Sequence, residues 1–506
     1  MFGLKKLRFV DLGTGLSMMI GTAGLLVASA LHAADPESCV PAPSRPVIQG
    51  GGCCDKIFED AAERLKYLHP SVSCTTAEAM CAAPAGAANS CVSTASGCTS
   101  DGAAAAAATP WGLTDVFTDD CGKNHVKDHG WKIGGNLAQS FTWNFQNPTD
   151  RYNGPVTWTD RSNEYQLNQF WLYAEKATNT TDKDWDIGGR VDVNYGTNSR
   201  LFTESGLEHN INGSNQQYGL AFPQFYAEVA YKKLKIKAGH FISPIGYFTV
   251  DTTQNFFNTI PYTYQWGEPF THTGALATYQ FTDNFIASAG VIRGWDNFDN
   301  HNPHAGFLGT WGYTFKDKSN LAQVLIYSLE PNANFAFSPR YYQSLVYTRP
   351  VSDNLTYVGQ SDFGTQESAT GAGGRANWYG INQYLYYKVS DKWTWGANFE
   401  WWRDEEGYRV AGFLPVNSVG PVPSGIFSNQ RGFPTNRSGY AGNFYQTTIG
   451  PRWYPTGNAN FFVRPNLRID WFDGTSTNGG GANLRPYDSG NKNYQGLLVT
   501  DVVWIF

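Results

Sequence analysis

Charged residues are scarce in this chain of 506 residues, at 16% against about 25% in ordinary globular proteins. Basic residues show no excess, because 37 Lys and Arg stand against 43 Asp and Glu, for a formal net charge of −6. This balance, without a block of basic residues, argues against nucleic acid as the main partner. Cysteine is absent after Cys121, which excludes disulfides within the long remainder of the chain.

Long apolar runs are also missing, so no transmembrane helix candidate follows the N-terminus. The single apolar run, Leu16–Ala30, is shorter than the about 20 residues that span a bilayer. It follows Lys5, Lys6 and Arg8 and ends on Ala28-Ser29-Ala30, a small-residue cleavage pattern. Residues 1–33 therefore predict a secretory signal peptide and an exported protein.

The next segment, residues 34–130, is rich in cysteine. An even number of cysteines in an exported chain predicts up to four disulfides, whereas metal binding is the weaker alternative because no C-x-x-C spacing occurs. The segment also contains a helical pattern over Asp55–Leu68 and an Ala-rich linker over Ala82–Ala108. We expect a small disulfide-stapled module in the periplasm. The disulfide candidates are Cys39, Cys53, Cys54, Cys74, Cys81, Cys91, Cys98 and Cys121.

Residues 131–506 alternate between apolar and polar side chains with a period of two. From Trp185 to Tyr195, one face is apolar and the other carries Asp186, Arg190 and Asp192. Successive strand side chains point to opposite faces, so each strand has one apolar and one polar surface. About sixteen such segments occur by eye. Short connections such as Lys232–Lys233 alternate with long ones such as Ile242–Thr273, without an exception.

This rhythm predicts a transmembrane antiparallel β-barrel of about 16 strands in an outer membrane. In hydrocarbon every backbone group must bond within the protein, so a sheet must close on itself. The chain ends on an alternating strand with Phe506 as its last residue, which is similar to the signal of barrels handed to the barrel assembly machinery. The partners we expect are outer-membrane lipid and that machinery.

The third long connection is unusually aromatic for an outer loop, since large apolar groups are costly on a wetted surface. We expect it to fold inward and to narrow the lumen, with Asp251 and Glu268 facing the pore and favouring cations. Packing that braces the loop is a more ordinary role for these aromatic rings than contact with a ligand. The residues of this expected constriction are Phe248, Asp251, Phe256, Phe257, Tyr262, Tyr264, Trp266 and Glu268.

Two stretches carry a family resemblance: Gly239–Tyr247 (GHFISPIGY) and Trp266–Gly274 (WGEPFTHTG). They resemble the putative β-barrel porin-2, OmpL-like family, and the resemblance covers residues 131–506. It implies an outer-membrane porin with general or poorly defined solute selectivity. It supplies no catalytic residues, and the Cys-rich segment lies outside it.

Inward-facing charges of both signs are expected along the strands, as in a polar pore rather than a filter of one sign. They are Arg190, Asp192, Lys235, Lys237, Glu400, Arg464, Arg468 and Asp470. About sixteen strands leave an aqueous channel, so the sequence predicts passive diffusion of small hydrophilic solutes or ions.

No nucleophile elbow, zinc-protease motif or phosphate-binding loop occurs, so we expect no enzyme, no cofactor and no metal site. Two alternatives stay open: an outer-membrane barrel enzyme, and a barrel that serves as the anchor for a disulfide module that binds the cell wall or plugs the pore. The sequence also leaves open whether the barrel is a monomer or a homotrimer.

Overall fold

The structure is a computed structural model that describes residues 112–204, 206–208, 211–212, 217–299, 302–332, 336–369, 373–410, 440–476 and 485–506. These residues belong to one compact unit of the chain. The predicted signal peptide, the helical pattern Asp55–Leu68, the linker and the seven cysteines that precede Cys121 lie outside the described residues. Cys121 itself is exposed.

Within the described residues, β-strands form a single closed antiparallel sheet, in which β1 pairs with β17. The strands are β1 (Trp131–Asn144), β2 (Glu164–Lys176), β3 (Trp185–Gly196), β4 (Gly219–Ala221), β5 (Phe225–Tyr231), β6 (Leu234–Ile242), β7 (Thr271–Thr282), β8 (Phe285–Ile292), β9 (Gly306–Thr314), β10 (Asn320–Pro331), β11 (Phe337–Pro350), β12 (Leu355–Gln366), β13 (Ala376–Ser390), β14 (Trp393–Asp404), β15 (Tyr440–Trp453), β16 (Phe461–Ser476) and β17 (Tyr494–Ile505).

The wall has sixteen strand positions, because β4 and β5 both pair with β3 and share one position. The predicted strand count is therefore confirmed, and each predicted start lies within four residues of an observed one. Loop side chains bridge the break between β4 and β5. Asn212 exchanges hydrogen bonds with Leu220 at 2.7 and 2.8 Å, and Glu208 accepts the backbone N–H of Phe222 at 2.7 Å.

Among the residues that the structure describes, helical structure is confined to short segments. They are a 3-10 turn over Leu113–Phe117, an α-helical turn over His125–Asp128, a 3-10 turn over Ser199–Leu201 and a π-helical turn over Thr263–Gly267. The first docks on the barrel through Thr114, whose hydroxyl donates to the carbonyl of Ile133 at 2.7 Å. In the part of the chain that the structure describes, no helix is both long enough and apolar enough to cross a membrane.

The outward face of the wall is apolar and exposed, and the inward face is polar and buried. On β3, Trp185 and Ile187 are 60% and 50% exposed, whereas Asp192 and Asn194 are fully buried. On β16, Ile469 and Trp471 are half exposed, and Arg468 is fully buried. An apolar outward face suits lipid, and the polar inward face turns toward the lumen.

The connections follow the predicted long and short rhythm with one correction. The fifth long connection was expected over Glu330–Pro339, but β10 and β11 pair as far as Pro331 and Phe337. It is therefore residues 332–336, no longer than the short connection 315–319 before it. The reason is that paired backbone continues through polar residues near the rim, where side-chain alternation no longer marks the end of a strand.

Candidate functional site

The third loop, residues 243–270, is closed at its neck where it leaves the wall. The backbone N–H of Ser243 donates to the carbonyl of Phe270 at 2.8 Å, which joins the two ends of the loop. His272 donates through Nδ1 to the carbonyl of Gly294 at 2.9 Å, so its Nε2 accepts from the Ser243 hydroxyl at 3.0 Å. These bonds fix the point from which the loop enters the barrel.

The middle of the loop ends in the π-helical turn, and Glu400 of β14 caps that turn. Its Oε2 accepts the backbone N–H of Tyr262 at 2.7 Å, and its Oε1 accepts the N–H and the hydroxyl of Thr263 at 2.6 and 2.7 Å. The first N–H groups of a helical turn have no partner within the turn and attract a negative group. The structure therefore places Glu400 inward, as a clamp on the third loop.

Two arginines of β16 hold other parts of the same loop. Arg464 donates to the carbonyls of Thr252 and Asn255 at 2.9 and 2.6 Å, and Arg468 donates to the carbonyl of Ile260 at 2.6 Å. Guanidinium groups suit this role because several donors lie in one rigid plane. These three carbonyls of the third loop thus accept hydrogen bonds from side chains of β16.

A carboxylate neutralises each of these arginines. Arg464 bonds Asp501 through Nε at 2.9 Å, and Arg468 bonds Asp470 through Nε at 2.9 Å. The predicted inward charges Arg464, Arg468 and Asp470 lie together here, fully buried. Sequence reasoning missed Asp501, although it is the only charged residue in the apolar strand β17 and that position could have marked it.

The aromatic side chains of the third loop pack against rings of the wall. Phe248 and Phe256 lie on Tyr384 and Tyr386, with ring centroids 5.8 and 4.7 Å apart, and Tyr262 lies on Phe444 at 4.9 Å. Burying such a ring stabilises by roughly 1.5–3 kcal/mol. Of the predicted ring residues, Phe248, Phe257, Tyr262, Tyr264 and Trp266 are buried and Phe256 is half-buried.

The two acidic residues expected to face the pore are both engaged by the protein. Asp251 accepts the hydroxyl of Thr253 at 2.7 Å and the amide of Asn136 at 3.3 Å, and it lines a cavity. Glu268 is fully buried, accepts the amide of Gln360 at 2.7 Å and is not among the residues that line this cavity. Of the two carboxylates, Asp251 alone lines this cavity.

The cavity lies beside the third loop and has a volume of about 180 Å³. A single water needs only roughly 10–15 Å³ of such space, so the cavity holds several waters or one small solute. Lys235 and Ser288 line it, and both lie within four residues of the short connections 232–233 and 283–284. The lining also includes Ile242 and Ser243, where the third loop begins, so the cavity extends along the whole of β6. Three predicted inward charges line it: Arg190, Lys235 and Lys237.

Arg190 is paired with two acids. Its Nε donates to Asp192 at 2.7 Å, and its Nη1 donates to Glu175 at 3.2 Å. Asp192 is fully buried and accepts the amide of Gln224 at 3.0 Å as well. Arg190 and Asp192 thus lie where the alternation predicts, on the inward side of β3, but as an ion pair.

Loops one and two also meet inside the rim, through an ion pair between Arg200 and Asp160. Nearby, Glu208 accepts the backbone N–H groups of Phe222 and Glu204 at 2.7 and 2.8 Å. Burial raises the pKa of Glu208 to about 7, although these two hydrogen bonds act in the opposite direction. Among the described residues, no three His, Cys, Asp or Glu side chains group closely enough to hold a metal ion.

A closed antiparallel barrel of sixteen strand positions, apolar outside and polar within, defines a transmembrane β-barrel of the porin class. The family comparison agrees with this class. The model of the family described as "putative beta-barrel porin-2, OmpL-like" matches residues 130–506, and the chain belongs to that family. The protein is accordingly an outer-membrane porin, located in the outer membrane. No protein with a curated description matches the chain.

Solved structures of porins resemble the barrel at low sequence identity. A loop L8 deletion mutant of OmpT from Vibrio cholerae has 10% identity and a TM-score of 0.45, and covers 74% of this chain and 99% of its own. An anion-selective porin from Comamonas acidovorans has 8% identity and a TM-score of 0.46, with the same coverage. Salmonella typhi OmpF in complex with daunomycin has 12% identity and a TM-score of 0.47, and covers 75% of this chain and 99% of its own.

Proposed function

We propose that the barrel forms a water-filled channel for passive diffusion of small hydrophilic solutes or ions, narrowed by the inward-folded third loop. The observation that carries the proposal is the fixing of residues 243–270 by inward-facing side chains. Glu400, Arg464 and Arg468 contact the loop from the far side of the wall. A loop held in this way reduces the open cross-section, while the cavity beside it keeps a polar space.

Planar-bilayer recording of the purified barrel tests the channel itself. The wild-type protein conducts, and deletion of residues 256–264 raises the single-channel conductance because the segment that crosses the lumen is shortened. A matched control shortens loop 367–375, which lies outside the third loop, and leaves conductance near the wild-type value. Absence of conductance in the wild type contradicts the channel, and unchanged conductance in the deletion contradicts the constriction.

The assembly and insertion of the barrel belong to the same proposal. Phe506 exchanges two hydrogen bonds with Gly135 of β1, at 2.8 and 2.9 Å, so the last residue closes the wall. We assign Phe506 the role of a recognition signal for the assembly machinery, in a chain whose segment 34–130 stays periplasmic after removal of residues 1–33. One similar solved structure is OmpT of Vibrio cholerae in a trimer form, and a homotrimer is the candidate assembly here. Molar mass by light scattering in detergent tests the trimer, and export assays of a Phe506→Ala variant test the signal.

A further inference from the structure

The third loop lies against one part of the barrel wall. Its rings pack on Tyr384 and Tyr386 of β13 and on Phe444 of β15, and its carbonyls accept from two arginines of β16. Glu400 of β14 caps its π-helical turn. The strands that hold the loop are therefore consecutive, from β13 to β16, and inward side chains there, such as Thr448, are buried.

The cavity beside the third loop lies against the opposite part of the wall. Strand β8, whose Ser288 lines the cavity, and strand β16 are the seventh and the fifteenth of the sixteen strand positions, half of the circumference apart. Thr249, Asp251 and Gln254 of the loop bound the cavity on one side, and strands β5 to β9 bound it on the other. The cavity also extends along β6 (Leu234–Ile242), a strand of nearly the length that crosses a bilayer.

Small hydroxyl side chains form a row across this part of the wall. Thr278 of β7 is the direct cross-strand neighbour of Ser288 of β8, and Ser288 is the neighbour of Thr310 of β9. The hydroxyls of Thr278 and Ser288 share a hydrogen bond of 2.8 Å, and all three side chains are half-buried and line the cavity. Because directly opposed residues lie on the same face of a sheet, the row faces the third loop across the cavity.

Charged groups keep the same space hydrated. Arg190, Lys235 and Lys237 line the cavity together with Glu228 and Asp251. Both signs occur close together, since the ammonium of Lys235 lies 3.8 Å from the carboxylate of Glu228. Removing such groups from water is costly, and the cavity of about 180 Å³ has room for several waters. The cavity is therefore a hydrated gap that suits small hydrophilic solutes.

We propose that solutes and ions cross the barrel between the third loop and strands β5 to β9, and that Thr278, Ser288 and Thr310 set the width of this path. The proposal rests on the channel function proposed above and specifies where in the lumen it operates. The lumen against β13 to β16 is closed to permeation, because the rings of the third loop and the buried ion pairs of Arg464 and Arg468 occupy it.

Thiol accessibility tests the location of the path in the full-length protein in planar bilayers. Thr310→Cys places a thiol in the row, and Thr448→Cys makes the same change at a buried inward position of β15. A charged methanethiosulfonate reagent modifies the first at least about tenfold faster, since a buried thiol reacts only when the surrounding structure opens. Modification of Thr310→Cys lowers the single-channel conductance about twofold, because the added group narrows the path. The protein without either substitution corrects for the cysteines of the N-terminal segment.

A bulky side chain tests the width of the path. Ser288→Trp fills the middle of the row and lowers the single-channel conductance about twofold. Ala289→Trp is the matched control, because Ala289 is the next residue of β8, is exposed on the outward face and does not line the cavity. This control leaves the conductance unchanged.

The outcomes separate the location of the path from the channel itself. A wild type that conducts, with equal modification rates for Thr310→Cys and Thr448→Cys or with no effect of modification at Thr310→Cys on conductance, overturns the location and leaves the channel intact. If Ser288→Trp fails to assemble, the two thiol variants decide alone. Failure of the wild type to conduct overturns both proposals.

Discussion

Glu400 offers the sharpest test of how the third loop is held. Its carboxylate accepts three hydrogen bonds from Tyr262 and Thr263, between 2.6 and 2.7 Å. A hydrogen bond to a charged group contributes about 1.5–3 kcal/mol to stability. The three bonds hold a single turn, and water can replace some of them in the variant, so their contributions do not simply add. We therefore expect Glu400→Ala to destabilise the docked loop by about 3 kcal/mol, which raises the released fraction about a hundredfold.

A thiol reporter measures that fraction. Thr259 is 3% exposed and donates to Asn466 at 3.3 Å inside the barrel. No cysteine occurs after Cys121, so Thr259→Cys adds the only thiol of the barrel wall and its loops. Modification by a charged thiol reagent, followed as a change in conductance, tracks transient opening of the loop. The same measurement without Thr259→Cys corrects for the cysteines of the N-terminal segment.

Asn398→Ala is the matched control for Glu400→Ala. Asn398 faces inward two residues earlier on β14, but its amide bonds wall carbonyls of Gln383 and Phe399, both at 3.4 Å. Its removal leaves the contacts of the third loop in place. If Glu400→Ala and Asn398→Ala give the same reporter rate, the capping argument is wrong.

Two further predictions concern positions that the fold constrains. Gly246 has φ +76°, and a Cβ there would come within 2.3 Å of the Glu268 carboxylate, so Gly246→Ala destabilises the third loop by about 1–3 kcal/mol, seen as faster reporter modification. Gly373→Ala is the control for backbone strain, because Gly373 has a φ of +80° but open space around it. If Gly246→Ala and Gly373→Ala lower the free energy of unfolding equally, crowding against Glu268 is contradicted. For Glu208, the folded pKa of about 7 exceeds the ordinary 4.5, so its contribution to stability is complete below about pH 4.5 and is lost as the pH rises through about 7. We expect up to about 3 kcal/mol less stability at about pH 8 than at about pH 4 from this group, and Glu208→Gln removes that part of the pH dependence of thermal unfolding; an unchanged profile would contradict it.

Most of the wall could be predicted from local pattern alone. Strand starts at Trp131, Trp185, Leu234, Phe285 and Leu355 coincide with the observed ones. The alternation also assigned inward and outward faces correctly on β3 and β16, because lipid and the lumen select opposite side chains along each strand. A break such as the one between β4 and β5 has no such marker, since it depends on Asn212 and Glu208 replacing the missing pairs.

The interior depended on contacts between residues far apart in sequence. Glu400 and Tyr262 are 138 residues apart, and Arg464 and Thr252 are 212 apart, so no local period links them. The aromatic content of the third loop indicated that its rings would be buried, but not which residues of the wall would pack against them. In the same way, Asp251 and Glu268 accept hydrogen bonds from Asn136 and Gln360, which are 115 and 92 residues away, and no local pattern shows these contacts.

Side-chain alternation, together with the long and short connections, determined an antiparallel barrel of about sixteen strands, because lipid and the lumen select opposite side chains along each strand. The tertiary structure alone decided which inward charges hold the third loop, as Glu400, Arg464 and Arg468 do, and which pair with each other, as Arg190 and Asp192 do. The physical reason is that an ion pair or a hydrogen bond needs both partners at about 3 Å. Only closure of the barrel brings such partners together across its lumen.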